Sequence, residues 1–315
     1  MERLANNHPQ DSESREKYFL AAFLAPVIWG FMSVPVRLVK AWPAEDILFY
    51  RILVAVVVLW SFIFIFRKKK LHQDYFHFRS LPPLERKKVI YLTLMAAFLI
   101  FGNWYTYIYC INNVSVQAGA FAYILCPLIT TAAGYFLLKE ELSKIKKTAL
   151  FLAFGSVIML ATGSLTEVLW SITIGGLYAF YLVIQRVVQG FDKLNVLAIQ
   201  MAICTLTVIP SVLTNPHPIP DTPSFWIVIA TIAIAFTIIP LLLSMYALKR
   251  VSSSTLGVML YVNPIIAFVL AITYFHETID SYKYWAYGLL VIAVFLFNSK
   301  TLFQLVNPPK KQNKS

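Results

Sequence analysis

The chain has 315 residues, 59% of them hydrophobic and only 13% charged, about half the charge of an average soluble domain. In water that surplus would leave large apolar patches exposed, so the composition excludes a soluble globular protein and points to a chain solvated by a bilayer. The net charge of +12 would suggest a nucleic-acid partner in a soluble protein; here it is concentrated in particular connections, so it reports membrane orientation and no nucleic-acid partner is expected.

In chain order, a polar tail (1–17) precedes the first apolar run, 18–39. A second run, 46–66, is followed by a basic connection, RKKKLHQDYFHFRSLPPLERKK (67–88). Runs at 89–111 and 115–138 lead to a basic turn, 139–147, and a fifth run at 148–166. Further runs follow at 168–188, 194–213, 225–248, 253–275 and 282–298, before a polar tail, 299–315. Each has the length needed to cross about 30 Å of hydrocarbon. Ser252, Ser253, Ser254 and Thr255 are expected to cap the ninth. Of the 27 Lys and Arg residues, 23 fall in the tails and alternate connections, three (Arg37, Lys40 and Lys283) in the other connections, and Arg51 inside the second run. That bias predicts ten transmembrane helices in the cytoplasmic (inner) membrane, with both termini cytoplasmic.

Two stretches share one pattern. YCINNVSVQAGAFAYILCPLITTAAGYFLLKE (109–140) and YALKRVSSSTLGVMLYVNPIIAFVLAITYFHE (246–277) place Tyr, Val-Ser, Pro and Glu at identical spacings. The Trp29–Arg37 and Tyr178–Arg186 intervals also match. The expected fold is therefore all-α and integral to the membrane, with ten transmembrane helices as two inverted five-helix repeats, 18–166 and 167–298. An odd number of helices per half turns the second copy upside down. Secondary transporters use this construction, with substrate at the midplane between the halves.

The helix 3–4 block NWYTYIYCINNVSVQAGAFAYILCPLITTAAGYFLLKEELS, the block IIPLLLSMYALKRVSSSTLGVMLYVNPIIAFVLAITYFHE, and the IWGF and EDILFYR segments resemble the drug/metabolite transporter superfamily in its EamA-domain branch, and RarD-type permeases in particular. The resemblance covers about residues 18–298. It implies export or import of small metabolites such as amino acids or toxic analogues. Tyr50 stands where the family commonly has His before the helix 2 arginine, and Pro35 lies further from Trp29-Gly30 than the family's helix 1 proline.

No GxxxxGK[ST] or HExxH motif occurs, so neither ATP-driven pumping nor a metal, cofactor or catalytic site is expected. Cys110, Cys126 and Cys204 read as small buried hydrophobes. The carboxylates cluster at helix ends, which argues against a proton relay at the bilayer centre. Facilitated diffusion, counter-substrate exchange, or proton coupling through an end carboxylate remain. Arg51 either attracts a substrate carboxylate or phosphate near the outer mouth, or snorkels to headgroups or pairs with Glu45 or Asp46. Trp29, Asn103, Trp104, Tyr109, Tyr123, Tyr178, Tyr246 and Tyr261 are substrate candidates, offering flat apolar area with a polar handle, or else belong to the interfacial belt. Gln200 and Asn263, with Gln117 and Gln185, are pocket lining or interhelical glue. Pro127 and Pro264 sit mid-helix, where each frees backbone polar groups for a ligand or merely kinks the helix. Glu140 and Glu277 are gate candidates. The expected partners are the bilayer and a small zwitterionic, anionic or amphipathic substrate; a non-transporting sensor or scaffold is the rival reading.

Overall fold

Apolar side chains around the whole circumference, in a medium without water, leave the backbone one way to satisfy its polar groups, which is helix. The computed structural model describes residues 9–139, 141–214, 218–247, 250–251, 256 and 259–306, and all regular structure among them is helical. In order come α1 (Pro9–Gly30), α2 (Ser33–Leu38), α3 (Ala44–Phe66), α4 (Lys68–Ser80), α5 (Pro83–Asn113), α6 (Val116–Leu138), α7 (Lys144–Ala161), α8 (Leu165–Val187) and α9 (Lys193–Thr214). The chain continues through α10 (Pro223–Ala233), a π turn (Ile234–Ile238), α11 (Ile239–Ala247), α12 (Val262–Thr273) and α13 (Ser281–Val306). Six segments are long and apolar enough to cross a membrane: Glu16–Leu38, Ala44–Phe66, Pro83–Asn113, Val116–Leu137, Leu165–Gln185 and Pro223–Ala247. Lys193–Ile209 and Val262–Thr273 are shorter apolar helices.

Three features depart from the expected runs. The first run is broken after Gly30. Pro35 has no N–H for the Phe31 carbonyl, which accepts from Val34 N at 3.0 Å instead, and the chain tightens into i→i−3 bonds before α2. The basic connection 67–88 contains a helix, α4, that charge counting alone reads as loop. The eighth run contains the π turn, explained below. The expected caps Ser252, Ser253, Ser254 and Thr255, and the gate candidate Glu140, lie outside the described residues.

Helices meet through small residues. On α8, Ser171, Gly175 and Ala179 recur every four positions and share one face. They pack on α6: the Ser171 hydroxyl donates to the Ala118 carbonyl at 2.8 Å, and a Cβ on Gly175 would approach the Ala122 carbonyl oxygen to 2.7 Å. Close backbone approach of this kind replaces hydrophobic association where lipid is as apolar as the helix. Likewise Ser156 of α7 donates to the Ala286 carbonyl of α13 at 2.7 Å. Gly30 brings α1 onto α12, where a Cβ would lie 2.6 Å from Ile266 Cβ and 3.1 Å from the Asn263 carbonyl oxygen.

Adjacent glycines test this packing. Gly175→Ala must push α6 and α8 apart and is expected to destabilise by about 1–3 kcal/mol. Gly176, whose added Cβ would meet nothing within 4 Å, should accept Ala with no loss. Thermal unfolding of the two purified variants in detergent measures the difference.

Candidate functional site

Arg51 of α3 is the most buried cation among the described residues, 4% exposed. It neither snorkels nor pairs with Glu45 or Asp46; among the described residues no carboxylate lies within ion-pairing distance of it. Its Nε and Nη2 donate to the Thr237 hydroxyl at 3.3 and 3.0 Å. Its guanidinium lies 4.5 Å from the centroid of the Trp104 ring, a cation–π contact. Nη1 is buried with no partner. An arginine cannot discharge itself, so this group is a standing positive charge with donors to spare.

Thr237 is placed by the π turn. Pro240 has no N–H for the Phe236 carbonyl four residues earlier. The helix widens, Ile239 N bonding to Ile234 O, and Trp29 Nε1 of α1 donates to the freed Phe236 carbonyl at 3.0 Å. In the widened turn the Thr237 hydroxyl donates to Ile232 O at 2.9 Å and accepts from Arg51. π turns often mark functional positions, and this one joins α1, α3 and the α10–α11 span.

Around the guanidinium stands an aromatic wall. Tyr107 and Tyr123 are 5.4 Å apart by ring centroids, Tyr123 and Tyr178 5.9 Å, and Tyr178 and Tyr181 5.8 Å. Asn103 is fully buried, donating to the Ile174 carbonyl at 2.9 Å and facing the Tyr123 hydroxyl at 3.5 Å. The Tyr181 hydroxyl and Gln185 Nε2 both donate to Gln200 Oε1, at 3.2 and 3.3 Å. Trp104, Tyr123, Tyr178 and Tyr181 are each only partly buried, and with Arg51 they form one continuous wall. One end is cationic and the rest aromatic with uncharged polar handles.

The structure thus brings together Arg51, Asn103, Trp104, Tyr123, Tyr178 and Gln200, with Trp29 holding the adjoining turn. Pro127 is half-buried one turn beyond Tyr123 on α6. Other candidates lie elsewhere. Tyr109 stacks on Trp170 at 4.9 Å. Tyr246 is 38% exposed and stacks on Tyr18 at 4.5 Å. Tyr261 is buried, its hydroxyl turned toward Asn298 but outside hydrogen-bond geometry. Asn263 and Pro264 sit at the α1–α12 crossing by Gly30. Tyr107, Tyr181 and Thr237 join the cluster without having been singled out. Pro240 in the middle of an apolar run is the sequence signal that leads to Thr237.

At one end of the bundle, Glu277 fastens three pieces of chain. Its Oε1 accepts from Arg37 Nη2 at 3.2 Å and from Val116 N at 2.7 Å, and its Oε2 from Gln117 N at 3.0 Å. The carboxylate therefore caps α6, where free N–H groups and the helix dipole favour negative charge. Gln117 Nε2 donates to Thr278 O at 3.1 Å, and Lys283 pairs with Glu167 at 2.9 Å, at the same end.

The EamA-like transporter family model matches this chain twice, over residues 16–162 and 165–299. The chain belongs to that family. It is 27% identical over 297 residues to the RarD protein of Salmonella typhimurium LT2, covering 91% of this chain and 96% of that one. It is 26% identical to the RarD protein of Escherichia coli K12 (91% and 95% covered), and 26% identical to the uncharacterized transporter YojE of Bacillus subtilis 168 (86% and 90%). A crystal structure at 17% identity superposes with a TM-score of 0.61 over 90% of this chain and 97% of that one, a likeness of fold alone. The protein is a multi-pass membrane transporter of the drug/metabolite family.

The π turn of this transporter makes its own test. Trp29→Phe strands the Phe236 carbonyl and is expected to cost about 1–3 kcal/mol. In a Pro240→Ala background the helix regains its own donor, so the same Trp29→Phe change should cost less. A double-mutant cycle on unfolding stability reads the difference.

Proposed function

We propose that the transporter carries a small organic metabolite bearing a carboxylate, such as an amino acid, a related zwitterion or anion, or an amphipathic drug, by alternating access. The observation that carries this reading is Arg51: a buried guanidinium over the Trp104 ring, beside a tyrosine wall, with Nη1 unpartnered. A substrate carboxylate would take the vacant donors as a charge-assisted bond, and its apolar part would lie against the tyrosines. Both halves of the chain build this site, α3, α5 and α6 from one and α8, α9 and the π turn from the other. The paired family matches support reading them as two inverted five-helix repeats that rock about the site. The 23-to-3 bias of Lys and Arg supports cytoplasmic termini. On that orientation Glu277, Arg37 and the start of α6 form an external gate, closed in this conformation. The carrier would work by facilitated diffusion or counter-substrate exchange, or couple to protons through an end carboxylate such as Glu277.

Uptake into liposomes holding the purified protein tests the reading. Carboxylate-bearing amino acids and aromatic acids should be carried, and their decarboxylated amines not. Arg51→Gln should lower carboxylate flux about 10–100-fold, the worth of a hydrogen bond to a charged group, while Glu277→Gln should change the rate and keep the same order of substrates. Wild-type flux through Arg51→Gln, or equal flux of acids and amines, would overturn it; no flux of any compound would favour a sensor or scaffold.

A further inference from the structure

A cavity of about 340 Å³ lies at the opposite end from Glu277, between α4, the start of α5 and the start of α9. On α4, Leu71, Tyr75 and Phe78 line it; they fall at i, i+4 and i+7, one face of a helix. Across from them stand Ile90 of α5 and Ile199 of α9, both partly open to the outside at 50% and 41% exposure. The surface within is almost wholly apolar.

The carboxylates nearby are already occupied. Asp74 accepts from Asn195 Nδ2 at 2.7 Å and from the Asp192 backbone N–H at 3.1 and 3.2 Å. Asp192 is paired with Arg67 at 2.6 Å. Two cations stand near it. Lys87 is exposed one turn before Ile90 of the lining. Arg79 is exposed with its guanidinium 5.7 Å from the Tyr75 ring centroid. Asn195, 1% exposed, also lines the cavity, and its Oδ1 has no donor.

Connectivity fixes the depth. α3 ends its apolar run at Phe66, α4 begins at Lys68, and the apolar part of α5 begins at Val89. The helix between exit and re-entry lies in the interfacial plane, apolar face inward and basic residues toward headgroups. An apolar slot beside exposed Lys87 and Arg79 at that depth matches one occupant: a membrane lipid with an acyl chain in the slot and a phosphate at the rim. The unmet acceptor on Asn195 favours a headgroup that also carries hydroxyl donors.

We propose that this cavity is a binding site for an anionic phospholipid with a hydroxyl-bearing headgroup, of the phosphatidylglycerol class. The site wedges between α4 and the α8–α9 connection, where Arg67–Asp192 and Asp74–Asn195 tie the two halves together. Bilayer composition would thereby act on the joint between the halves. The site is independent of the Arg51 site and of the substrate; only its assignment to the cytoplasmic leaflet rests on the orientation proposed above.

The test uses the full-length chain, purified and delipidated in detergent, with phosphatidylglycerol or phosphatidylcholine added back. Native mass spectrometry should show phosphatidylglycerol retained in preference, and thermal unfolding should shift upward with that lipid alone. Ile199→Trp, filling the slot from its open side, should abolish both effects. Arg79→Gln and Lys87→Gln, at exposed positions, should each weaken retention about five-fold. Equal retention of phosphatidylcholine, or full retention by the Arg79→Gln/Lys87→Gln double variant, would overturn the proposal whether or not any substrate is carried.

Discussion

Inside a bilayer no water waits for a stranded backbone group, and most of what is specific about this molecule follows from that constraint. An interior proline strands a carbonyl, and at two of them the stranded carbonyl recruits a side chain or a new turn. Pro240 frees Phe236 O, which Trp29 reaches from another helix; Pro35 frees Phe31 O, which a tighter turn absorbs. The same economy governs contacts between helices. Asn103, Ser156, Ser171 and Cys204 all donate to carbonyls of neighbouring helices. Such bonds use the spare lone pair of an oxygen already bonded within its own helix, so they join helices without unwinding them.

Against this background Arg51 is the exception. Asn103 gives its amide to a carbonyl, and Tyr123 and Tyr181 give their hydroxyls to amide oxygens. The guanidinium has one hydroxyl and one ring face. Leaving a buried cation so poorly matched costs stability, and the surrounding aromatics cannot repay it in full. Sites held in such deficit are where a ligand gains most by binding, since it supplies the counter-charge that the fold withholds.

The apolar runs are legible in the sequence because hydropathy is a local property, and each run carries helix among the described residues. Arg51 is legible too: one charge in an apolar run asks for an explanation whatever the fold. Its partner is not, because Thr237 lies 186 residues away and only packing brings α3 to the π turn. Tyrosine assignments mixed depth with rotation. Tyr123 and Tyr178 face inward, whereas Tyr246 packs against Tyr18 in the middle of α1, and a spacing shared between two stretches cannot say which way a side chain turns. Helix α4 is hidden by its own charge. Counting Lys and Arg over 67–88 reads a loop, while the i, i+4, i+7 placement of Leu71, Tyr75 and Phe78 carries the helix. Glu277 stands out as a possible gate by its place in the repeat, but its partners Val116 N and Gln117 N are backbone groups, and no side-chain pattern announces them.

Glu277 has a further consequence because a single carboxylate serves all its partners. Its two oxygens hold an arginine from α2 and two amides of α6 at once. Moving the carboxylate itself disturbs all three bonds together, because its two oxygens are fixed in one plane. Withdrawing it uncaps α6 and releases Arg37 in the same movement. One side chain thus couples the position of α2 to the capping of α6.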